Sequence, residues 1–356
     1  MTNVENNLII PDTTTTSLDS FRISIPINLV KIIDSNLTDK IVTYTINSNT
    51  NEVLTERELK ENSISKLVDG VPFRFNIDNS FNEKKVVILI NSKQLFSQYF
   101  NGVTIENIKL IYNKIIECKV INIGLDVLLS SAIVDADFKR DNIIELEEYQ
   151  RGLTVIRSCA KLSKYKDDGC HTYANGIEFS VRKTSKAVSN PYFKIYHKEI
   201  ELNDNSNDFA FRHLKGFNYN NLVRFEYTVK NKKHFNSLGV QNNTLEHILS
   251  LSNEQKHNMG KSIVKKHLGN REMIKPKGNN LLNPSQQILF DYINLLLEKG
   301  LNIQMAINYI LNSFSGVTKH RKKKEIMFVY ENYLMGTIAE KRSIKMNSFF
   351  DNLGWN

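Results

Sequence analysis

Three features of this sequence predict an α+β fold: an antiparallel sheet with helices on one face, followed by an all-α region. Ser20 to Ile25, Tyr192 to Lys198 and Leu222 to Lys230 alternate in the period of 2 expected of strands with one covered face. Asn175-Gly176 separates Cys170 to Tyr173 from Ile177 to Arg182, and both residues tolerate the positive φ of a tight hairpin turn. Beyond about residue 240 the alternation gives way to helical runs punctuated by Gly269, Pro276, Pro284, Gly300 and Gly316.

The chain has 356 residues, 41% of them hydrophobic, enough for one large or two ordinary domains. Its net charge of +9 is unevenly spread. Residues 1–150 hold 15 Lys and Arg against 21 Asp and Glu, and the remainder holds 32 against 17. A basic second half predicts a polyanionic partner. Cys118, Cys159 and Cys170 follow neither disulfide nor zinc spacing, which fits a reducing cytoplasm. No apolar run of membrane-spanning length and no signal pattern is present, so a soluble, non-exported protein is expected.

In order along the chain, residues 1–18, with Thr13 to Thr16, read as a disordered tail. The first strand, Ser20 to Ile25, stops at Pro26, and Asn28 to Ser35 reads as a short helix. Strands are expected at Ile41 to Ile46 and Phe73 to Ile77. Lys85 to Asn91 is continuously apolar, as a strand covered on both faces would be. A helix capped by Thr104 follows, then a strand over Ser131 to Lys139 and a second helix from Asp141 to Leu162. Pro191 to Glu201 reads as one strand, with Phe193, Ile195 and His197 on one face and Tyr192, Lys194, Tyr196 and Lys198 on the other.

Three strands thus present ionisable residues at i and i+2: Asp135 with Asp137, Tyr196 with Lys198, and Arg224 with Glu226. On one sheet these six side chains converge on one open surface. Such a set suits phosphoryl transfer to tyrosine. A phenol ordinarily titrates near 10, so a neighbouring cation, Lys198, is expected to favour the phenolate. Asp135 and Glu226, with Asp137 in reserve, are oxygen ligands of the kind Mg²⁺ or Mn²⁺ takes. The planar fork of Arg224 suits a phosphate oxygen.

Tyr196-His197-Lys198-Glu199-Ile200-Glu201 fits Y-x-K-x-x-E, preceded by Ile133-Val134-Asp135-Ala136 and followed by Leu222-Val223-Arg224-Phe225-Glu226. Together with Asp19 to Pro26, these blocks resemble the rolling-circle replication initiators of the filamentous-phage gene II type and the trans-acting Rep proteins of small plasmids. The resemblance covers residues 19 to 240. It implies an HUH-nuclease-like Rep domain at 19–240 and an endonuclease whose tyrosine, here Tyr196, nicks one strand at an origin. The enzyme stays on the 5′ phosphate and leaves a 3′ hydroxyl primer. It further implies metal service by Asp135 and Glu226, with Lys198 beside the nucleophile. Its partners would be single-stranded or supercoiled origin DNA and the helicase and polymerase of a bacterial host, in the cytoplasm and away from membrane. A homodimer is compatible with it. Ile133 stands where relatives often have Arg, Asp137 is an extra acid, and the His-hydrophobic-His metal motif is missing. Strict alternation also puts Glu201 on the face opposite Tyr196.

Residues 241–356 read as a basic helical domain for DNA binding or assembly, with helices at 243–251, 252–268, 285–299, 302–313 and 318–335. Lys261, Lys265, Lys266 and Arg271 form one basic cluster, and Lys319, Arg321, Lys322, Lys323 and Lys324 another. With Lys194 they are the expected phosphate contacts. Two other classes remain open. A tyrosine recombinase needs a second arginine cluster and no paired acids. A non-catalytic origin-binding or replisome protein would form no covalent DNA adduct.

Overall fold

The structure, a computed structural model, describes residues 8–37, 41–46, 50, 53–59, 63–78, 83–159, 170–173, 176–179, 192–204, 208–268, 282–299, 301 and 303–334. It is a mixed α+β chain with a large antiparallel sheet. Contacts divide it into two compact units, residues 1–143 with 171–263, and residues 144–170 with 264–356. Residues 241–263 therefore group with the sheet, and the segment after residue 143 groups with the C-terminal helices.

The strands are β1 Ser17–Pro26, β2 Lys31–Ile32, β3 Ile41–Ile46, β4 Val53–Leu59, β5 Ser63–Val68, β6 Val71–Asp78 and β7 Lys85–Asn91. They continue with β8 Ile121–Asn122, β9 Ala132–Ile143, β10 Cys170–Tyr173, β11 Gly176–Phe179, β12 Tyr192–His197 and β13 Leu222–Val229. Nine of them form one sheet in the order β10-β11-β12-β13-β9-β1-β7-β6-β5. β2 pairs with β8, and β3 with β4, in small separate ladders.

Register fixes which side chains share a face, because directly paired residues point the same way. Phe21 lies opposite Ile90, Ile23 opposite Ile88, and Ile88 opposite Phe75. On the other side, Phe138 lies opposite Tyr227, Tyr227 opposite Phe193, and Ile195 opposite Ile177. All are buried, so one face of the sheet is a continuous apolar core. Tyr227 stacks on Phe138 with ring centroids 5.0 Å apart and donates its hydroxyl to the carbonyl of Lys256, 2.6 Å away. A register shift between Arg22 and Ile23 makes a bulge at Val134, which brings Ile133 onto the core face and leaves Ala132 exposed. Strict alternation places those two the other way round.

Helices of the sheet unit are α1 Ile108–Glu117, α2 Leu125–Ser130, α4 Lys198–Leu202, α5 Asp208–His213, α6 Lys232–Ser237, α7 Leu245–Ser250 and most of α8 Asn253–Leu268. α1 starts four residues later than its expected cap. Asn107 takes the capping place, accepting from the Thr104 N–H at 2.9 Å and donating to the Gly102 carbonyl at 2.8 Å. The expected helix at Asn28 to Ser35 is instead a single 3₁₀ turn, Ile27–Leu29, followed by β2. The expected tail is placed from residue 8. Thr16 is buried and its N–H donates to Asn253 at 2.7 Å, which ties the chain down before β1 begins.

α3 Leu146–Cys159 belongs to the second unit, with α9 Pro284–Glu298, α10 Ile303–Leu311 and α11 Gly316–Val329, which runs into a π turn at Tyr330–Leu334. α3 begins five residues after the start expected for it, because β9 runs on through Asp141 to Ile143. Apolar residues spaced three and four apart, Leu289, Ile293 and Leu296 on α9, pack with Ile307, Ile310, Ile326 and Val329. Asn283 caps α9 reciprocally with Gln286, and Pro284 starts it.

Of the expected hairpin turn, Asn175 lies outside the described residues, and Gly176 opens β11 directly opposite Tyr196. A Cβ built at Gly176 would meet Tyr196 Cβ at 2.5 Å and the Ile195 carbonyl at 2.6 Å, so only glycine lets β11 approach this closely. Gly176→Ala is expected to cost about 1–3 kcal/mol, as overpacking does, by forcing β11 from Tyr196. Urea unfolding reads it, and an unchanged midpoint would show that the two strands have room to spare.

Candidate functional site

The opposite face of β12, β13, β9 and β1 is polar. It holds Lys194 and Tyr196 on β12, Arg224, Glu226 and Thr228 on β13, Asp135, Asp137, Lys139 and Asp141 on β9, and Ser20 and Arg22 on β1. The three strands with paired ionisable residues are neighbours, and the expected convergence holds for Tyr196 and Glu226. The half-buried Tyr196 directs its hydroxyl to Glu226 Oε2 at 3.1 Å. Lys194 Nζ holds Glu226 Oε1 at 2.6 Å. Two ammonium groups flank the phenol ring, Lys194 at 5.5 Å and Lys198 at 5.4 Å from its centroid.

Lys198 is not on the strand. β12 ends at His197 and Lys198 begins α4, whose first turn carries Glu199 and Glu201 at the positive end of the helix. This turn resolves the position of Glu201, three residues on, which pairs with Lys198 Nζ. Glu199 accepts the Asn221 N–H at 2.7 Å and so links α4 to the start of β13. Y-x-K-x-x-E is thus a strand-to-helix corner, which returns the lysine over the tyrosine.

Arg224 takes a different place from the one expected. It is fully buried, with Nε and Nη2 on the two oxygens of Asp141 at 2.7 and 2.9 Å and Nη1 on Tyr99 Oη at 2.9 Å and Asp19 at 3.2 Å. A fork so engaged presents no edge to a phosphate, and its role is to position. Lys139 joins the network, donating to Asp141 at 2.8 Å and to the Phe100 carbonyl at 2.6 Å. The 3₁₀ segment Ser92–Asn101 supplies Tyr99 and Phe100, which with Phe209 of α5 roof this end of the polar face. The face is therefore only partly open.

The acids are also rearranged. Asp135 receives Arg22 through Nε at 3.0 Å and Nη2 at 2.5 Å. Glu226 pairs with Lys139 of β9, four residues from Asp135, or about 13 Å along the strand. One cation cannot span that, so Asp135 and Glu226 do not fit as a shared ligand set for Mg²⁺ or Mn²⁺. Asp137 is nearer Glu226, but its oxygens accept hydroxyls from Ser20 at 2.6 Å and Thr228 at 2.5 Å. Among the described residues no group of three or more His, Cys, Asp or Glu is arranged to hold a metal.

Electrostatics follow burial. Burial, then the Glu226 charge, pushes the Tyr196 phenol well above its ordinary range, so the flanking cations do not make it a phenolate at rest. Burial also raises Glu226; Lys194 opposes this, and Asp137 and Asp19 reinforce it. Burial and Arg224 pull Lys198 down to about 8. Burial alone would raise Asp141, but Arg224 and Lys139 outweigh it and hold the carboxyl far below the usual range.

Sequence reasoning assigns no site role to Asp19, Tyr99, Asp141 or Gly176. Asp141 had a signal, since Asp135, Asp137, Lys139 and Asp141 continue one i, i+2 series through the point where a helix is expected. Tyr99 and Asp19 had none, because their place depends on packing across the sheet.

Of the basic residues, Lys261 is half-buried and Lys265 exposed on α8, while the Lys266 side chain and Arg271 lie outside the described residues. On α11, Lys319, His320, Arg321, Lys323 and Lys324 are exposed. Lys322 instead bonds Glu325 at 2.7 Å, and Glu325 accepts from Ser285 of α9 at 2.8 Å. Lys322 is therefore engaged within α11, beside the Glu325 contact to α9, rather than held out as a phosphate contact. Comparison with known proteins matches no family model, no curated protein and no solved structure.

Asp141→Ala strands Arg224 and Lys139 as buried charges and is expected to cost about 3–5 kcal/mol at pH 7. The native carboxyl titrates below its unfolded value near 3.9, so this stabilisation is complete above that value and disappears as pH falls through the lower native one. Unfolding by denaturant across pH tests both statements. A variant as stable as wild type at pH 7 would show that the network is neutral.

Proposed function

We propose that this chain is a rolling-circle replication initiator of phage or plasmid type, a site-specific endonuclease that cuts one DNA strand with Tyr196 and remains on the 5′ phosphate. The observation that carries the reading is the setting of Tyr196: its hydroxyl on a carboxylate and two ammonium groups within 5.5 Å of its ring centroid, at a half-buried place on a polar sheet face. A tyrosine that only packs needs no such surroundings. Lys194, 30% exposed against 3% for Lys198, is the cation a scissile phosphate meets first, and buried Lys198 supplies charge from behind. The sheet is read as a Rep-type nuclease sheet, the exposed basic face of α11 as a sequence-independent grip on DNA, and the bacterial cytoplasm, with host helicase and polymerase, as its setting. No step is routed through a cation, since the expected ligands do not converge.

Tyr196→Phe is expected to keep fold and DNA affinity and to abolish the covalent adduct with labelled single-stranded origin DNA, read on a denaturing gel. Wild type that binds but never forms an adduct would favour a non-catalytic origin-binding protein. Nicking should fall as pH rises through about 8, where Lys198 loses its charge, and Lys198→Arg should move that limb upward. A limb unmoved by the substitution would assign it to another group.

Replacing Arg321, Lys323 and Lys324 together by Ala, with Lys322 kept for its bond to Glu325, should weaken duplex binding. The salt slope should fall by up to about 0.9 for each phosphate no longer neutralised. An unchanged slope would make the α11 face a solvated surface.

A further inference from the structure

We infer that Glu226 is the proton acceptor for Tyr196, and that Lys194, on its other oxygen, is the residue that orients it. The inference rests on the nicking reading and assigns Glu226 a role other than metal ligand. Tyr196 Oη is a donor and Glu226 Oε2 the acceptor at 3.1 Å, within the reach a general base needs. Glu226 is only 4% exposed, so bulk water has little access to its carboxylate. Lys194 Nζ at 2.6 Å from Oε1 leaves Oε2 turned toward the phenol. The ladder sets this arrangement, because Lys194 lies directly opposite Glu226 and Tyr196 opposite Arg224, one pair position of the same face further on. The charged groups around Glu226 are Lys194 from β12, Lys139, directly opposite it, and Asp137 from β9, Asp19 from β1, and Arg224 two residues away on β13.

The phenol needs such a partner. Burial and the carboxylate keep it protonated at neutral pH, and attack by a neutral phenol on a phosphodiester would leave a proton on the new phosphotyrosine bridge. As Tyr196 Oη bonds to phosphorus, its proton passes to Glu226 Oε2. The P–O3′ bond breaks with its electron pair on the 3′ oxygen, which takes a proton from solvent water. Protonated Glu226 then loses its proton to the hydroxide so formed. Charge and atoms balance with no oxidant or further reactant. The raised Glu226 carboxyl brings the base closer in strength to the phenol it must deprotonate than an ordinary glutamate would be.

Glu226→Gln keeps shape and an acceptor oxygen but removes basicity. In single-turnover nicking of labelled origin DNA, it should lower the rate roughly 10²–10⁴-fold. On the acid side of the pH profile it should remove the inflection and leave a residual rate that climbs steadily with pH. A second measurement needs no DNA. The ultraviolet phenolate titration of Tyr196, taken as wild type minus Tyr196→Phe, should move to lower pH in Glu226→Gln, because a negative neighbour has gone. Lys194→Met should leave the adduct detectable but move the acid limb to higher pH, since Lys194 holds the Glu226 carboxyl down. If Glu226→Gln instead raises the Mg²⁺ or Mn²⁺ needed for half-maximal nicking and excess metal restores the rate, Glu226 is a ligand and the inference fails. If the titration of Tyr196 does not move, the two groups are not in contact and it fails as well. A wild type that forms no adduct removes the nicking reading, while a shifted titration in that protein would still leave the Tyr196 to Glu226 contact standing.

Discussion

The ion pair of Arg224 with Asp141 is the interaction on which the polar half of the sheet depends. Both side chains are almost entirely removed from water, where each alone would be strongly unfavourable. Satisfying them takes Lys139, Asp19 and Tyr99, and through Tyr99 the whole 3₁₀ segment Ser92–Asn101 is held down on the sheet. The roof over one end of the face is therefore there because the charges are, and the face is more exposed toward Arg22 and Asp135, while Tyr196 and Lys194 beside the roof stay half-buried. A buried network of this kind is weak support for net stability and strong support for a single geometry, because every partner is specified.

That geometry gathers a tyrosine, a carboxylate and two lysines around β12. Alternation puts Tyr196 and Glu226 on the same face of adjacent strands, and Gly176 lets a third strand come close behind the tyrosine. The start of α4 immediately after β12 swings Lys198 back over the ring, where burial weakens its hold on its proton. The outcome is a phenol held neutral by burial and by the neighbouring carboxylate. A phenol ionised in advance by its cations would need the opposite balance of burial and charge, which this site does not have.

The second unit follows simpler rules. Its three C-terminal helices pack through apolar stripes, and its charge lies where packing does not need it, on the outer face of α11. Lys322 is the exception, because its ammonium bonds Glu325, whose carboxylate also ties α11 to α9.

The sequence by itself determined the strands of strong alternation, the helical C-terminal region, which neighbours share a strand face with Tyr196 and with Glu226, and the asymmetry of charge. Each depends on local periodicity or composition, which a single chain displays without knowledge of its neighbours. Tertiary structure decided the rest. Asp135 and Glu226 each looked like a ligand, but register separates them by four residues and gives each its own cation. Arg224 looked like a phosphate clamp until Asp141, hidden past the expected end of β9, filled its fork. Lys198 looked like a strand residue because alternation does not show where a strand stops and a helix begins. Burial, which sets the protonation of Tyr196, Glu226 and Lys198, depends on segments far away in the chain and is written in no local pattern.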